Sequence, residues 1–383
     1  MEQVLTYSTL MMCVLLLVYC HRIVYFYRGL SRLTSGINNK KPNVCVIIPA
    51  RNEEHTIGQC LASLQSQRYP QELLHVIVVD DYSTDRTMHA ATAIAASSHI
   101  PITVISVHEF ADITSPKLRA LAHGLKQTTA EVILTIDADC IAPPEWISTL
   151  MTFFESTVGV VTGVTTYKRT DVISPLFYGI QYLDFISYTS IAAGAIGMGR
   201  ALITNGSNLA FRREAFERSG GFAAIKTINS GDDSLLAQKI VADGIWTPRF
   251  AYQKESAVST LPALNISEFL HQRMRWVGQT AYYPGDMMLF MICTFILFVG
   301  LAITVPLTLI HPHAGPWCIL AGKIAVDFMM MRKFTTLISA QDTMRYFLPT
   351  AIIHIPYILV STIGGYFFSF TWKDRSMKKE TVQ

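Results

Sequence analysis

Asp137-Ala138-Asp139 follows the apolar run Val132–Ile136. In extended backbone, residues two apart point to one face, so both carboxylates can converge beyond the end of a strand. Like charges that close repel unless a cation lies between them. A hard divalent cation, Mg²⁺ or Mn²⁺, suits oxygen ligands and would also hold the oxygens of a diphosphate. A solvated acidic loop is the plain alternative, and the position after a buried strand weighs against it.

Asp80-Asp81 likewise ends a β-preferring run, Val76–Val79, and passes into Tyr82-Ser83-Thr84-Asp85. Ser83, Thr84 and Asp85 fit a helix start, whereas adjacent like charges at a strand end fit a ligand better. Asp232-Asp233 follows Ser230-Gly231 and opens a helical pattern, Ser234–Ile240. One of this pair fits a helix N-terminal acid; the other could be a general base within reach of an attacking hydroxyl. Finally, Gln272, Arg275 and Trp276 share a helix face by i, i+3, i+4 spacing. Amide, guanidinium and indole suit sugar hydroxyls, a diphosphate and a sugar ring face. A membrane-interface helix would use the same Arg and Trp, and both readings can hold at once.

The elements that must position these groups are legible as alternation. β-rich runs at Val44–Ile48, Val76–Val79, Ile102–Val107 and Val132–Ile136 are separated by helical patterns at Glu54–Gln67, Asp85–Ala96 and Lys117–Gln127. This order predicts an α/β fold with a parallel sheet covered by helices, and places ligands at the carboxyl ends of the strands.

Of the 383 residues 50% are hydrophobic and 15% charged, with positive mean hydropathy, which points to membrane segments. A net charge of +3 gives no basic footprint for nucleic acid. Seven scattered cysteines form no Cys-x-x-Cys pair and fit a reducing compartment. The apolar run Val4–Cys20 is followed, not preceded, by Arg22, Arg28, Arg32, Lys40 and Lys41. That order predicts an uncleaved anchor with the next domain in the cytoplasm, on the inner membrane if the source is bacterial. Further apolar segments lie at Met288–Ile310, Trp317–Met331 and Phe347–Phe370; Lys323 and Asp327 in the middle one could pair. The expected organisation is an anchor at 1–22, a catalytic domain at 43–264, an amphipathic interface helix at 265–286, a membrane region at 287–371 and a basic tail at 372–383.

Over residues 43 to 280 the ordered motifs Ile48-Pro49-Ala50-Arg51-Asn52-Glu53-Glu54, Val79–Asp85, Asp137-Ala138-Asp139, Gly231-Asp232-Asp233 and Gln272–Trp276 resemble the membrane-bound branch of the family-2 glycosyltransferases. That branch includes cellulose and hyaluronan synthases and ceramide glucosyltransferase. The resemblance implies a GT-A fold, a Rossmann-like nucleotide-sugar domain, here flanked by an N-terminal transmembrane helix and C-terminal transmembrane or interfacial helices. It implies that Pro49, Ala50, Arg51 and Glu53 meet the nucleoside, that Asp81 with Asp80 binds base or ribose, and that Lys117 lies near the donor. It further implies that Asp137 and Asp139 hold metal and diphosphate, and that Asp233 is the base, with Asp232 beside it at the acceptor. Arg275 would offset leaving-group charge, and Gln272 and Trp276 would border the acceptor. Two departures stand out: Pro116 replaces a glycine before Lys117, and Gly231-Asp232 replaces Thr-Glu.

The expected reaction is inverting transfer of a sugar, a UDP-hexose by family default, from a nucleotide-sugar donor to a hydroxyl. The few apolar segments are thin for a polymer channel. The aromatic stretch Val172–Leu202 fits either a core insertion or an interfacial segment admitting a lipid-like acceptor. Alternatives are a small polysaccharide synthase, a polyprenyl-phosphate glycosyltransferase, a non-catalytic nucleotide-sugar-binding membrane protein and, on Lys323 and Asp327 alone, a transporter.

Overall fold

The computed structural model describes residues 1–107, 113, 115–225, 232–277, 283–367, 370–372 and 375–377. The chain divides into two compact units, one of Met1–Arg32, Asp171–Gly194 and Ala263–Phe370, the other of Leu33–Thr170, Ala195–Pro262 and Thr371–Gln383.

The second unit is built on a seven-stranded sheet. Its strands in chain order are β1 (Val44–Ala50), β2 (Leu74–Asp80), β3 (Ile102–Ser106), β4 (Val132–Thr135), β5 (Val158–Gly163), β7 (Leu209–Arg212) and β8 (Thr247–Ala251). The short β6 (Thr165–Tyr167) and β9 (Val258–Thr260) pair separately. The spatial order is β3-β2-β1-β4-β7-β5-β8. Strands β1 to β4 are parallel, as their alternation with helices requires, but β7 runs antiparallel to both β4 and β5. The sheet is therefore mixed: the four strands expected to be parallel are so, and β7 adds an antiparallel member that the expectation did not cover. The expectation rested on the first half of the chain alone, whereas β7 enters after a long excursion and is free to add in either sense. The chain winds outward from β1 to β3 and then returns to β4 on the other side of β1, so the crevice beyond β1 is the switch point where such sheets bind ligands.

β1 and β2 are almost wholly buried and rich in Val and Ile, as strands covered on both faces must be. Val44, Val46, Ile48, Val76 and Val78 pack with Cys60, Leu61 and Leu64 of helix α2 (Ile57–Gln65) and with Ala91 of α3 (Thr87–Ala96). On the opposite face α4 (Pro116–Lys126) lies so close that a Cβ on Gly124 would come within 2.7 Å of Ile47 and 3.1 Å of Val79. That close approach fixes the start of α4, with Lys117 and Arg119, relative to β1 and β2. Pro116 fits there because the first helical turn needs no proline N–H, and the Ser115 hydroxyl accepts from the Leu118 amide at 3.3 Å. The glycine expected before Lys117 is thus replaced by a residue suited to a helix start. The remaining helices of this unit are α5 (Trp146–Met151), α7 (Arg213–Arg218) and α8 (Asp232–Val241).

The first unit is helical: α1 (Glu2–Leu30), most of α6 (Pro175–Gly197), α9 (Ile266–Val277), α10 (Gly285–Leu307), α11 (Gly315–Leu337) and α12 (Phe347–Phe367). Among the described residues three helices are long and apolar enough to cross a membrane, at Glu2–Leu30, Gly285–Leu307 and Gln341–Tyr366. Small residues bring α1 and α6 together: a Cβ on Gly194 would lie 2.5 Å from the Phe26 carbonyl oxygen. Lys323 and Asp327 of α11 pair at 2.8 Å, Tyr19 of α1 donates to Asp327 at 2.6 Å, and Lys323 meets His354 of α12 at 2.8 Å. These contacts satisfy charges that would be costly alone among apolar helices.

Candidate active site

The carboxyl ends of β1, β2 and β4 carry the site. At the first two, Ala50 pairs with Asp80 in register, and the Asp81 amide donates to the Ala50 carbonyl at 2.9 Å. Both aspartates are buried, at 6% and 4% exposure. Asp81 is neutralised by Arg119 of α4, whose Nη2 donates to Oδ1 at 2.7 Å. Asp80 Oδ2 accepts from the Ser83 amide at 3.2 Å, while its Oδ1 has no partner among the described residues. Arg51 Nη1 donates to the carbonyls of Asp81 and Tyr82 at 2.7 and 3.0 Å, tying the loop after β1 to the loop after β2.

The same two loops are stitched further down. Asn52 and Ser83 bond at 3.0 Å, Thr84 and Asn52 at 2.9 Å, and Glu53 N–H donates to Thr87 Oγ1 at 2.7 Å. The Glu53 carboxylate accepts from Thr56 at 2.6 Å. The start of α3 is held by Asp85, which accepts from the Thr87 amide and hydroxyl and from the Glu54 amide. Ser83 and Thr84 serve the interloop bonds instead. Burial raises the Asp85 carboxyl, yet these hydrogen bonds outweigh it and hold the group below the usual carboxylate range. The nucleoside loop predicted from Pro49, Ala50, Arg51 and Glu53 is therefore one hydrogen-bonded body with Asp80 and Asp81.

Beyond β4 the backbone leaves the extended form at once: Asp139 lies in a turn closed by a 3.0 Å bond from the Cys140 amide to the Asp137 carbonyl. The turn, and not strand alternation, brings Asp137 and Asp139 together. Ligand atoms of Asp137, Asp139 and Cys140 lie within 4.8 Å of one another. Lys117 Nζ donates to Asp137 Oδ1 at 2.5 Å, and Thr260 to Asp139 Oδ2 at 3.2 Å. Cys140 was missed by reasoning from cysteine spacing. Burial first, then the charges of Asp139 and Asp137, push its thiol above the ordinary range, and its Sγ lies 3.4 Å from Asp139 Oδ1, to which it donates. The donor set for a cation is therefore two half-exposed carboxylates, hard oxygens that fit Mg²⁺ or Mn²⁺ and not a thiophilic metal.

Asp233 opens α8 and faces the same place. Its Oδ2 accepts from the Gly206 amide at 2.6 Å and its Oδ1 from the Ser234 amide at 2.8 Å. A Cβ on Gly206 would stand 3.0 Å from Lys117 Nζ and 3.2 Å from Asp233 Oδ2, so Gly206 lies between the two charged groups. Lys117, Thr135, Gly206 and Asp233 line one small cavity together with Leu121, Leu209, Phe211, Phe222 and Leu236. The turn Asn205–Asn208 is the scaffold: Thr135 donates to the Gly206 carbonyl at 2.7 Å, and fully buried Asn208 bonds Trp146, Val164 and Ser256. In sequence, Asn205-Gly206-Ser207-Asn208 resembles the family's stretch before the acceptor site, with an ordinary turn as the plain alternative. The Asp232 side chain, Gly231 and residues 278–282 lie outside the described residues.

Gln272, Arg275 and Trp276 belong to α9 in the helical unit. There the fully buried residue of the motif is Arg273, which the sequence reading passed over. It pairs with Asp184 of α6 at 2.5 Å, donates to Gln272 Oε1 at 2.8 Å, and lies 4.1 Å from the Trp276 ring centroid and 4.6 Å from that of Phe269. Phe185 and Tyr188 of α6 pack on Trp276 at 5.5 and 5.8 Å. The spacing Phe269, Arg273, Trp276 on one helix face was the available signal.

Residues 45–220 match the family model Glycosyl transferase family 2. Over 298 residues the chain is 26% identical to an N-acetylglucosaminyltransferase of Mesorhizobium japonicum, a match covering 72% of this chain and 63% of that protein, so the chain spans less than two thirds of that relative's length. It is 24% identical over 358 residues to a beta-monoglucosyldiacylglycerol synthase of Nostoc sp., covering 88% of this chain and 72% of that protein. In fold it resembles the mannosyltransferase PcManGT from Pyrobaculum calidifontis, solved in complex with GDP-Man and Mn²⁺, with a TM-score of 0.60 over 91% of this chain and 99% of that chain, at 21% identity. With the mixed sheet, its switch point and the acidic turn after β4, the structural likeness shows a GT-A fold, and residues 45–220 match the Glycosyl transferase family 2 model.

Proposed function

We propose that this chain is an inverting glycosyltransferase that moves a sugar from a nucleoside-diphosphate sugar to a hydroxyl of a membrane lipid. The observation that carries the reading is Asp233, held by the Gly206 amide at 2.6 Å, with Gly206 close to both its carboxylate and Lys117 Nζ. Asp233 takes the proton of the acceptor hydroxyl. The freed oxygen forms a bond to the anomeric carbon as the bond from that carbon to the diphosphate oxygen breaks. With one displacement the configuration inverts. Lys117 holds the leaving diphosphate, and Asp81 with Arg51 anchors the nucleoside end. A divalent cation bound by Asp137 and Asp139 would supply charge neutralisation for the diphosphate.

A lipid acceptor is supported by the Nostoc relative and a membrane setting by the three apolar helices; the basic residues that follow Val4–Cys20 support a sheet unit on the cytoplasmic side. Gln272, Arg275 and Trp276 are proposed to act at the acceptor and leaving group, as their motif implies. Retention of Asp137, Asp139 and Asp233 speaks against a non-catalytic binding protein.

The test is nucleoside diphosphate release by the detergent-held chain with a panel of nucleotide sugars, Mn²⁺ or Mg²⁺, and a lipid extract. Lipid-dependent release with a glycolipid product is expected. Donor binding without release under any of these conditions would instead indicate the non-catalytic reading.

A further inference from the structure

Tyr82 stands out in the site by its backbone. Its φ is +57°, in the left-handed region that a bulky side chain rarely adopts. Asn52, across the loop, has φ +50°, but asparagine is among the residues that tolerate it. The strained turn persists because it is held from all sides. Arg51 bonds the Asp81 and Tyr82 carbonyls, Asp80 bonds the Ser83 amide, and Ser83 and Thr84 bond Asn52.

The strain has a visible result: the aromatic ring is presented to solvent, 52% exposed, beside two aspartates that are buried. The Arg119 guanidinium, which neutralises Asp81, lies 5.8 Å from the ring centroid. Arg119 Nε, in that guanidinium, and Asp80 Oδ1, two residues before Tyr82, are buried with no partner among the described residues. Buried polar atoms of that kind mark a place where a ligand or water completes the bonding. Strain kept at such a place calls for a role that offsets it.

We propose that the Tyr82 ring is the stacking platform for the nucleobase of the donor, with Asp80, Asp81 and Arg119 as the polar groups around the base edge. This rests on the nucleotide-sugar reading above. Position selects the base over the sugar. Tyr82 follows β2, whereas the Asp137–Asp139 turn follows β4, and β1 lies between them. Two strand spacings separate the sites by roughly 10 Å. A diphosphate at β4 therefore leaves room for the ribose across β1 and brings the base to Tyr82. A flat aromatic ring suits any base, since each has a π-face, so the platform gives affinity and the carboxylates give selectivity.

The test uses the full detergent-held chain with Mn²⁺ and a panel of UDP, GDP, ADP, CDP and dTDP, measured by calorimetry, together with thermal melts of the nucleotide-free protein. Tyr82→Phe should bind the preferred nucleotide within about twofold of wild type, because the ring is kept. Tyr82→Asn removes the ring but suits the turn. It should weaken binding roughly tenfold or more while the melting temperature stays level or rises. Tyr82→Asn binding as tightly as wild type would overturn the platform and leave the nucleotide site standing. A lower melting temperature and equal loss of binding in both variants would make Tyr82 a structural residue and also overturn it. Wild-type protein that binds none of the five nucleotides would remove the nucleotide-sugar reading and the platform with it.

Discussion

Lys117 Nζ lies 2.5 Å from Asp137 Oδ1, so an ammonium group occupies one side of the carboxylate that would help hold a cation. The two positive charges compete for Asp137 when no donor is bound and cooperate once a diphosphate lies between them. Lys117→Ala should therefore tighten Mn²⁺ binding by the donor-free protein while lowering transfer. Both partners are partly exposed, at 26% and 35%, so screening limits the gain to about three- to tenfold. Mn²⁺ titration followed by electron paramagnetic resonance reads it directly; unchanged affinity would mean that the ion does not use Asp137.

Gly206→Ala puts a methyl group 3.0 Å from Lys117 Nζ and 3.2 Å from Asp233 Oδ2. The expected result is a loss of kcat of about a hundredfold, since small displacements of a positioned group cost that much, with little change in thermal stability. Asp233→Asn should abolish transfer and keep nucleotide binding. Rapid-quench measurement of kcat beside calorimetry separates the two effects, and lost nucleotide binding in Asp233→Asn would place that residue with the donor.

The acidic turn offers a clean internal control. Because Mn²⁺ prefers hard oxygen ligands and the Cys140 thiol already donates to Asp139, Cys140→Ala should leave Mn²⁺ affinity within about twofold, whereas Asp139→Ala should lower it tenfold or more. Equal losses in the two variants, measured in one titration series, would make Cys140 a ligand.

The Asp184–Arg273 pair is almost completely buried, at 0% and 1% exposure. Removing one partner leaves the other charge unpaired, so Asp184→Leu should cost about 3–5 kcal/mol. The double variant Asp184→Leu with Arg273→Leu should recover much of that loss. Denaturation in detergent, followed by tryptophan fluorescence, gives the comparison; a double variant as unstable as the sum of the singles would show that the residues act independently.

The regions of regular structure were readable because β1, β2 and β4 are almost wholly buried and so rich in Val and Ile, and because the parallel strands alternate with helices of their own period. The acidic groups were readable for a related reason: Asp81 and Asp137 stand directly after such runs, and chain order alone places them at one edge of a parallel sheet. The antiparallel entry of β7 was not readable, since the sense of a strand that arrives after a long connection depends on where the chain returns.

The sequence by itself determined the α/β alternation, the apolar helices, and the residue types and edge on which the carboxylates lie. The tertiary structure alone decided their partners. Arg119 and Asp81 are 38 residues apart, Asp233 and Gly206 are 27, and Arg273 and Asp184 are 89. Such pairings have no periodicity to betray them, because they depend on how helices and loops come back over the sheet or over each other. The same is true of Tyr82, whose letter gives no hint of a positive φ: that value is imposed by Arg51, Asn52 and Asp80 once the two loops have closed on one another.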